Sequence, residues 1–215
     1  MAVWIACRYA EEVTLNEIYS EKMVQHTRGF GLLENFLSKK RAEISNKLIP
    51  KRHREGKILD IGCGSYPYFL LHTRFKEKIG IDSAAKKVDN IKIIGQNIDN
   101  GFKIPFHEKH FDVVTMLAVF EHIEPDIIVN VLKEIKRILK ENGRFILTTP
   151  CPWTDLLLRV MARLGLISKE EIEEHKGSYN HKKIRKYLIL AGFEKDKIRL
   201  GYFELFLNNW AYADK

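Results

Sequence analysis

The chain has 215 residues, 45% of them hydrophobic and 30% charged, enough for one domain with a full core and no stapling disulfides. No run reaches the roughly 18 apolar residues of a membrane span, and the opening Met1–Cys7 is too short and lacks the basic leader of a signal peptide. Three cysteines, odd in number and far apart, exclude a disulfide framework and point to a reducing cytoplasm. The net charge of +8 permits attraction to phosphates or anionic lipid without specifying either. Its basic runs, Lys39-Lys40-Arg41 and Lys51-Arg52-His53-Arg54, carry no interleaved aromatic residues for base stacking. Nucleic acid is therefore a possible partner but not the favoured one.

In chain order, residues up to Pro50 read as helical. Phe30, Leu33, Phe36 and Leu37 fall at helical spacing, with Ile44 and Leu48 extending the stripe. Lys57-Ile58-Leu59-Asp60-Ile61-Gly62-Cys63-Gly64-Ser65 then reads as a buried parallel strand ending in a tight glycine turn. A helix should start near Tyr66-Pro67 and run from Tyr68 to Phe75, since proline suits a first helical turn. Lys78–Asp82 reads as a second strand. Asp82 lies 22 positions beyond Asp60, where an acid is placed to accept hydrogen bonds from ribose hydroxyls; the alternative is a helix N-cap, with Ser83 beside it. The crossover Ser83–Asn90 leaves room for a helix of one or two turns, before a third strand at Ile91–Ile94.

The phosphate-binding pattern G-x-G-x-x-G fails here, because its sixth position is Pro67. Asp60-x-Gly62-x-Gly64 instead resembles motif I of class I S-adenosylmethionine-dependent methyltransferases, a family that usually has a third glycine where this chain has Tyr66. Ile104-Pro105-Phe106 followed by Phe111-Asp112-Val113-Val114-Thr115-Met116-Leu117 is similar to the passage into strand four of the type 11 branch of that family. Ala118-Val119-Phe120-Glu121-His122-Ile123 continues the likeness, as does the stretch from Leu132 to Pro150. There Pro125–Glu141 reads as a helix closed by Asn142-Gly143, and Arg144–Pro150 as strand five.

The resemblance implies an α/β Rossmann-like three-layer sandwich. Its mostly parallel seven-stranded sheet would run 3-2-1-4-5-7-6 with the last strand antiparallel, plus N-terminal helices. A single domain over residues 1–215 is expected. Its parts are a helical cap (1–50), a cofactor-binding half (57–150), a lid (151–180), and a last helix with an antiparallel strand pair (181–215). The implied cofactor is S-adenosylmethionine, contacted by Asp60, Gly62, Cys63, Gly64, Asp82 and Ser83. Asn97 and Ile98 would take the adenine, with Asp99 as an alternative to Asn97, and the carbonyls of Met116 and Leu117 would receive the methionine ammonium. Tyr19 and Arg28 are candidates for the cofactor carboxylate or for plain surface roles.

Trp153–Ile167 reads as an amphipathic helix, with Trp153, Leu157, Val160, Met161 and Leu164 on one face. Two readings stay open, a core cover or a lid over an apolar acceptor. His175–Phe193 resembles the branch's closing block, with Asn180 as helix N-cap, and two strands should meet near Gly201-Tyr202.

His122 is the catalytic candidate, because histidine moves protons near neutral pH and the motif places it at the strand-four end. Equally, Glu121 and His122 could shape the loop through backbone bonds. His175 and Tyr179 are weaker candidates on the acceptor side. The His and Cys residues show no paired metal-ligand spacing, so no metal is expected. Cys63 and Cys151 read as packing residues. The expected activity is methyl transfer to a small molecule, a lipid precursor or a sugar-containing acceptor. The alternatives are a non-catalytic cofactor-binding subunit and an RNA methyltransferase.

Overall fold

The computed structural model describes residues 34–98, 103–164 and 175–215. Tyr19, Arg28, Phe30, Leu33, Asp99 and the end of the expected Trp153–Ile167 helix lie outside those residues. The described elements are α1 (Glu34–Leu48), β1 (Lys57–Ile61), α2 (Tyr68–Leu71), β2 (Glu77–Ile81), β3 (Lys92–Ile94) and β4 (Phe111–Leu117). They continue with α3 (Ile128–Ile138), β5 (Leu139–Pro150), α4 (Asp155–Arg163), α5 (His181–Leu190), β6 (Ile198–Phe203) and β7 (Asn208–Asp214). Seven strands form one sheet in the order β3-β2-β1-β4-β5-β7-β6. Strand β7 runs antiparallel to β5 and β6, and every other pair is parallel. The expected topology is the one observed.

Alternation along the strands builds the layers. Leu59, Ile61, Val114, Met116, Phe145 and Leu147 face a core shared with α3 and α5. Ile58, Val113 and Ile146 point the other way, against α1 and α2. The buried stripe of α3, Ile128, Val131, Leu132, Ile135 and Ile138, follows the helical period. Helix α1 departs from its expected stripe. Phe36 is exposed, and Ala42 and Ser45, with Ile49 just past the helix end, are the buried positions.

Other boundaries shift for local reasons. Helix α2 is a single turn ending at Leu71, where His72 caps it, so it falls short of Phe75. No helix forms between Ser83 and Asn90. Asp82 Oδ1 instead accepts from the Ala84 amide at 2.8 Å in a tight turn, and Val88 bridges Ile91. Helix α3 ends three residues before Glu141, and β5 starts at Leu139. Asn142, not Gly143, takes the left-handed conformation (φ 60), within a β4–β5 register shift. The final hairpin turns at Glu204–Leu207 rather than at Gly201. Gly201 lies within β6 opposite Trp210, whose ring passes 2.4 Å from where a Cβ would stand.

The motif residue Asp112 has a structural role. Its Oδ2 accepts from the Lys57 amide at 2.8 Å and pairs with Lys140 at 2.7 Å, pinning the starts of β1 and β5 to β4. Arg137 likewise anchors the Ile104–Phe106 loop, donating to the carbonyls of Phe106 (2.8 Å) and Ile104 (3.1 Å).

Candidate functional site

The parallel strands release their chains at one edge of the sheet, and a cleft of about 670 Å³ opens there. That size lies within the range of small-molecule pockets, about 300–1,000 Å³, and the position is where open α/β sheets bind ligands. Asp60, Gly62, Cys63, Gly64, Asp82 and Ser83 line one part of it. Asn97, Ile98, Leu117 and Ala118 line the next, so nine of the ten residues expected around the cofactor border a single space. The tenth, Met116, was expected to act through its carbonyl, and its side chain does not line the cleft. Strand alternation turns its side chain into the core, fully buried, and Leu117 is the cleft residue.

Gly62 and Gly64 both have positive φ, 75° and 76°, which a side chain would strain. Their surroundings differ. A Cβ at Gly62 would stand 2.2 Å from Val119 Cγ2, whereas one at Gly64 would meet only the Tyr66 carbonyl at 3.8 Å. Gly62 thus packs the turn against the β4 loop, and Gly64 leaves an open face on the cleft. Tyr66, in place of a third glycine, lines the wall.

Asp82 Oδ2 accepts from the Gly64 amide at 3.0 Å, so this carboxylate braces the glycine turn while bordering the cleft. Asp60, one strand over, is 3% exposed and accepts from Thr115 Oγ1 at 2.6 Å. Burial raises its pKa to about 7, the Thr115 hydrogen bond opposes the rise, and the charge of Asp82 adds to it. Two carboxyl groups therefore stand at adjacent strand tips. That suits a positively charged nucleoside and opposes a phosphate. An aspartate, an open glycine face, an amide at Asn97 and an apolar wall at Ile98 fit S-adenosylmethionine.

Ala118 follows β4 with φ 54, an uncommon conformation for a residue with a side chain. Its amide donates to the Thr148 carbonyl (2.9 Å) and to Thr148 Oγ1 (3.2 Å), which holds the bend. From there the chain enters a short turn, Phe120–His122. The Glu121 carbonyl accepts from the Lys176 (2.8 Å) and Gly177 (3.1 Å) amides, so the segment before α5 is fastened to the strand-four loop. His122 and His175 meet as a result, ring centroids 5.0 Å apart and edge to face. Both line the cleft with Glu121. Tyr179 does not. Its hydroxyl is buried against Gly177, packed on Phe120, and burial pushes it up to about 12. Cys151 is buried as well, its thiol raised to about 11, as an inert packing residue would be.

On the far wall stand Leu157, Leu158 and Met161 of α4, with Glu204 and Leu207 of the β6–β7 turn and Arg41 of α1. Among the α4 side chains described, Leu157, Leu158 and Met161 line the cleft and none is buried. Trp153 (60% exposed), Val160 and Leu164 face outward. Glu204 is a cleft residue that the sequence did not suggest. Burial raises its pKa, Arg41 and the Asn208 hydrogen bond oppose the rise, and Oε1 has no hydrogen-bond partner.

The sheet order, the strand-tip carboxylates and the cleft together define a Rossmann-like protein of the S-adenosylmethionine-dependent methyltransferase class. The chain matches the methyltransferase domain family over residues 32–198, and it belongs to that family. Family membership implies S-adenosylmethionine as the cofactor. An uncharacterized protein of Methanocaldococcus jannaschii is 29% identical over 175 residues, covering 80% of this chain and 68% of its own. A tRNA U34 carboxymethyltransferase of Nautilia profundicola is 33% identical over 115 residues, 48% of this chain and 38% of the relative. Among solved structures, a SAM-dependent methyltransferase from Thermotoga maritima superposes with a TM-score of 0.62 at 17% identity, covering 86% of this chain and 91% of that one. Among the described residues, no helix is long and apolar enough to cross a membrane.

Proposed function

We propose that the chain catalyses methyl transfer from S-adenosylmethionine to a partly apolar small molecule, such as a lipid precursor or a sugar-containing metabolite, in a reducing cytoplasm. The observation that carries this reading is one cleft with two chemically distinct ends. The strand-tip carboxylates Asp60 and Asp82 border one, and Glu121, His122 and His175 with the apolar wall of α4 border the other. The sulfonium supplies an activated methyl group that an acceptor lone pair displaces in line, the S–C electron pair returning to sulfur. What the protein must add is alignment and exclusion of water. Asp82 and Asn97 hold the nucleoside, and Asp60 accepts the methionine end. Leu157, Leu158 and Met161 keep bulk water from the acceptor, whose proton leaves at the end bordered by Glu121, His122 and His175.

Isothermal titration with S-adenosylmethionine, followed by transfer of a radiolabelled methyl group into fractionated cell extract, tests this reading. Label in the small-molecule or lipid fraction supports it. Cofactor binding with no label in any fraction supports a non-catalytic subunit instead. The RNA reading has two supports, the net charge of +8 and a relative that is a tRNA-modifying enzyme. Label that nuclease treatment releases would favour it.

A further inference from the structure

We propose that Glu121, His122 and His175 form a binding site for a divalent transition cation such as Zn²⁺ on the acceptor side of the cleft. The inference rests on the methyltransferase reading for its role but not for its existence. One ligand atom from each of the three residues lies within 4.8 Å of the other two. Tetrahedral bonds of about 2.0–2.2 Å place ligand atoms about 3.3–3.6 Å apart, so side-chain rotations that draw the three atoms in by roughly an ångström close the set.

The second observation is the condition of two of these groups. Glu121 is 3% exposed, and its Oε2 is buried without a hydrogen-bond partner. The Nδ1 of His122 is also buried without one. Buried polar atoms without a partner are costly, and a cation held between these residues offers them one. The scaffold holds the third ligand in place. His175 arrives 53 residues later in the chain, and the amides of the next two residues donate to the Glu121 carbonyl. Nearby, Lys176 is paired with Glu124 at 2.9 Å.

Two imidazoles and one carboxylate are a borderline-soft set that suits Zn²⁺ and its neighbours over Mg²⁺ or Ca²⁺. Three protein ligands leave coordination positions open, and all three residues line the cleft. An acceptor hydroxyl taken there would lose its proton to solvent at lower pH, leaving a better nucleophile facing the methyl donor.

The test is titration of the chelator-treated full chain with Zn²⁺, and with Co²⁺ read by visible absorption. One site per chain is expected. Glu121→Gln and His175→Ala should each weaken Zn²⁺ binding more than tenfold, with S-adenosylmethionine affinity and the circular dichroism spectrum unchanged. His107 and His110 are a second close pair, Nε2 to Nδ1 2.6 Å, and His110→Ala should leave Zn²⁺ binding intact. The proposal is overturned if the wild-type chain binds no Zn²⁺, or if binding survives His175→Ala and Glu121→Gln or is lost in His110→Ala. Zn²⁺ binding of the expected kind with no S-adenosylmethionine binding would sink the methyltransferase reading and leave the metal site standing.

Discussion

The burial of Asp60 carries an energetic cost. A carboxyl raised from 3.8 to about 7 is still protonated in the folded chain at pH values where the unfolded chain has released its proton. Stability should therefore fall as pH rises from about 4 to 7 and stay low above that, by at most roughly 4 kcal/mol at 1.36 kcal/mol per pKa unit. Asp60→Asn keeps an acceptor for Thr115 and has no proton to lose. Thermal melts of this variant should lack the decline across that window, and its cofactor affinity should drop at least tenfold. A melt series parallel to wild type would show that Asp60 is not the group responsible. The glycines permit a second comparison. Gly64→Ala meets only backbone strain and should cost about 1 kcal/mol. Gly62→Ala adds the collision with Val119 and should cost about 2–4 kcal/mol, part of which Val119→Ala restores. Urea unfolding of the three variants measures the order.

At the level of elements, the strands were legible in the sequence where burial on both faces left continuous apolar runs. β1 and β4 fall where Ile58–Ile61 and Phe111–Leu117 put them. The stretch Leu139–Asn142 misleads because Leu-Lys-Glu-Asn continues the helical period of α3, and only pairing of Leu139 with Phe111 marks it as strand. Asp82-Ser83 misleads in a similar way. The aspartate makes its bonds to Ala84 and to the glycine turn, and no helix follows for it to cap. Arg144 is a junction that no local pattern announced. It donates to both oxygens of Asp214 (2.7 and 2.8 Å) and to the Leu48 carbonyl (2.7 Å), and lies 3.8 Å from the Tyr212 ring centre. One side chain thus ties β5 to β7 and to the end of α1. Its pair is largely buried, so Arg144→Ala should cost about 2–4 kcal/mol in urea unfolding. A loss under 0.5 kcal/mol would mean that the three elements hold without it.

Across the whole molecule, the two halves of the cleft were unequally readable. The strand-tip end is built from short-range motifs, so residue type and spacing brought its lining residues together. The opposite end is assembled from distant segments, and the meeting of Glu121, His122 and His175 depends on backbone bonds between residues 55 and 56 positions apart. Periodicity holds no trace of such a contact, and neither does the reach of Glu204 into the cleft. The apolar wall of α4 and the β6–β7 turn, where Leu205 is 89% exposed, stand at that same end. Replacing Leu157 and Met161 together by serine should leave cofactor affinity within about twofold and reduce methyl transfer at least tenfold, as assayed with the radiolabelled donor. Equal losses in both would place these side chains against the cofactor instead.

The account depends on a pair of strand-tip carboxylates selecting a sulfonium nucleoside. Competitive calorimetry addresses this directly, with S-adenosylmethionine, S-adenosylhomocysteine, ATP and NAD titrated into wild type and into Asp82→Ala. The expected result is one site per chain for the two S-adenosyl compounds, no heat from ATP or NAD, and at least tenfold weaker binding in the variant. Binding of ATP or NAD in preference to S-adenosylmethionine, or an affinity for it that Asp82→Ala leaves untouched, would contradict the account.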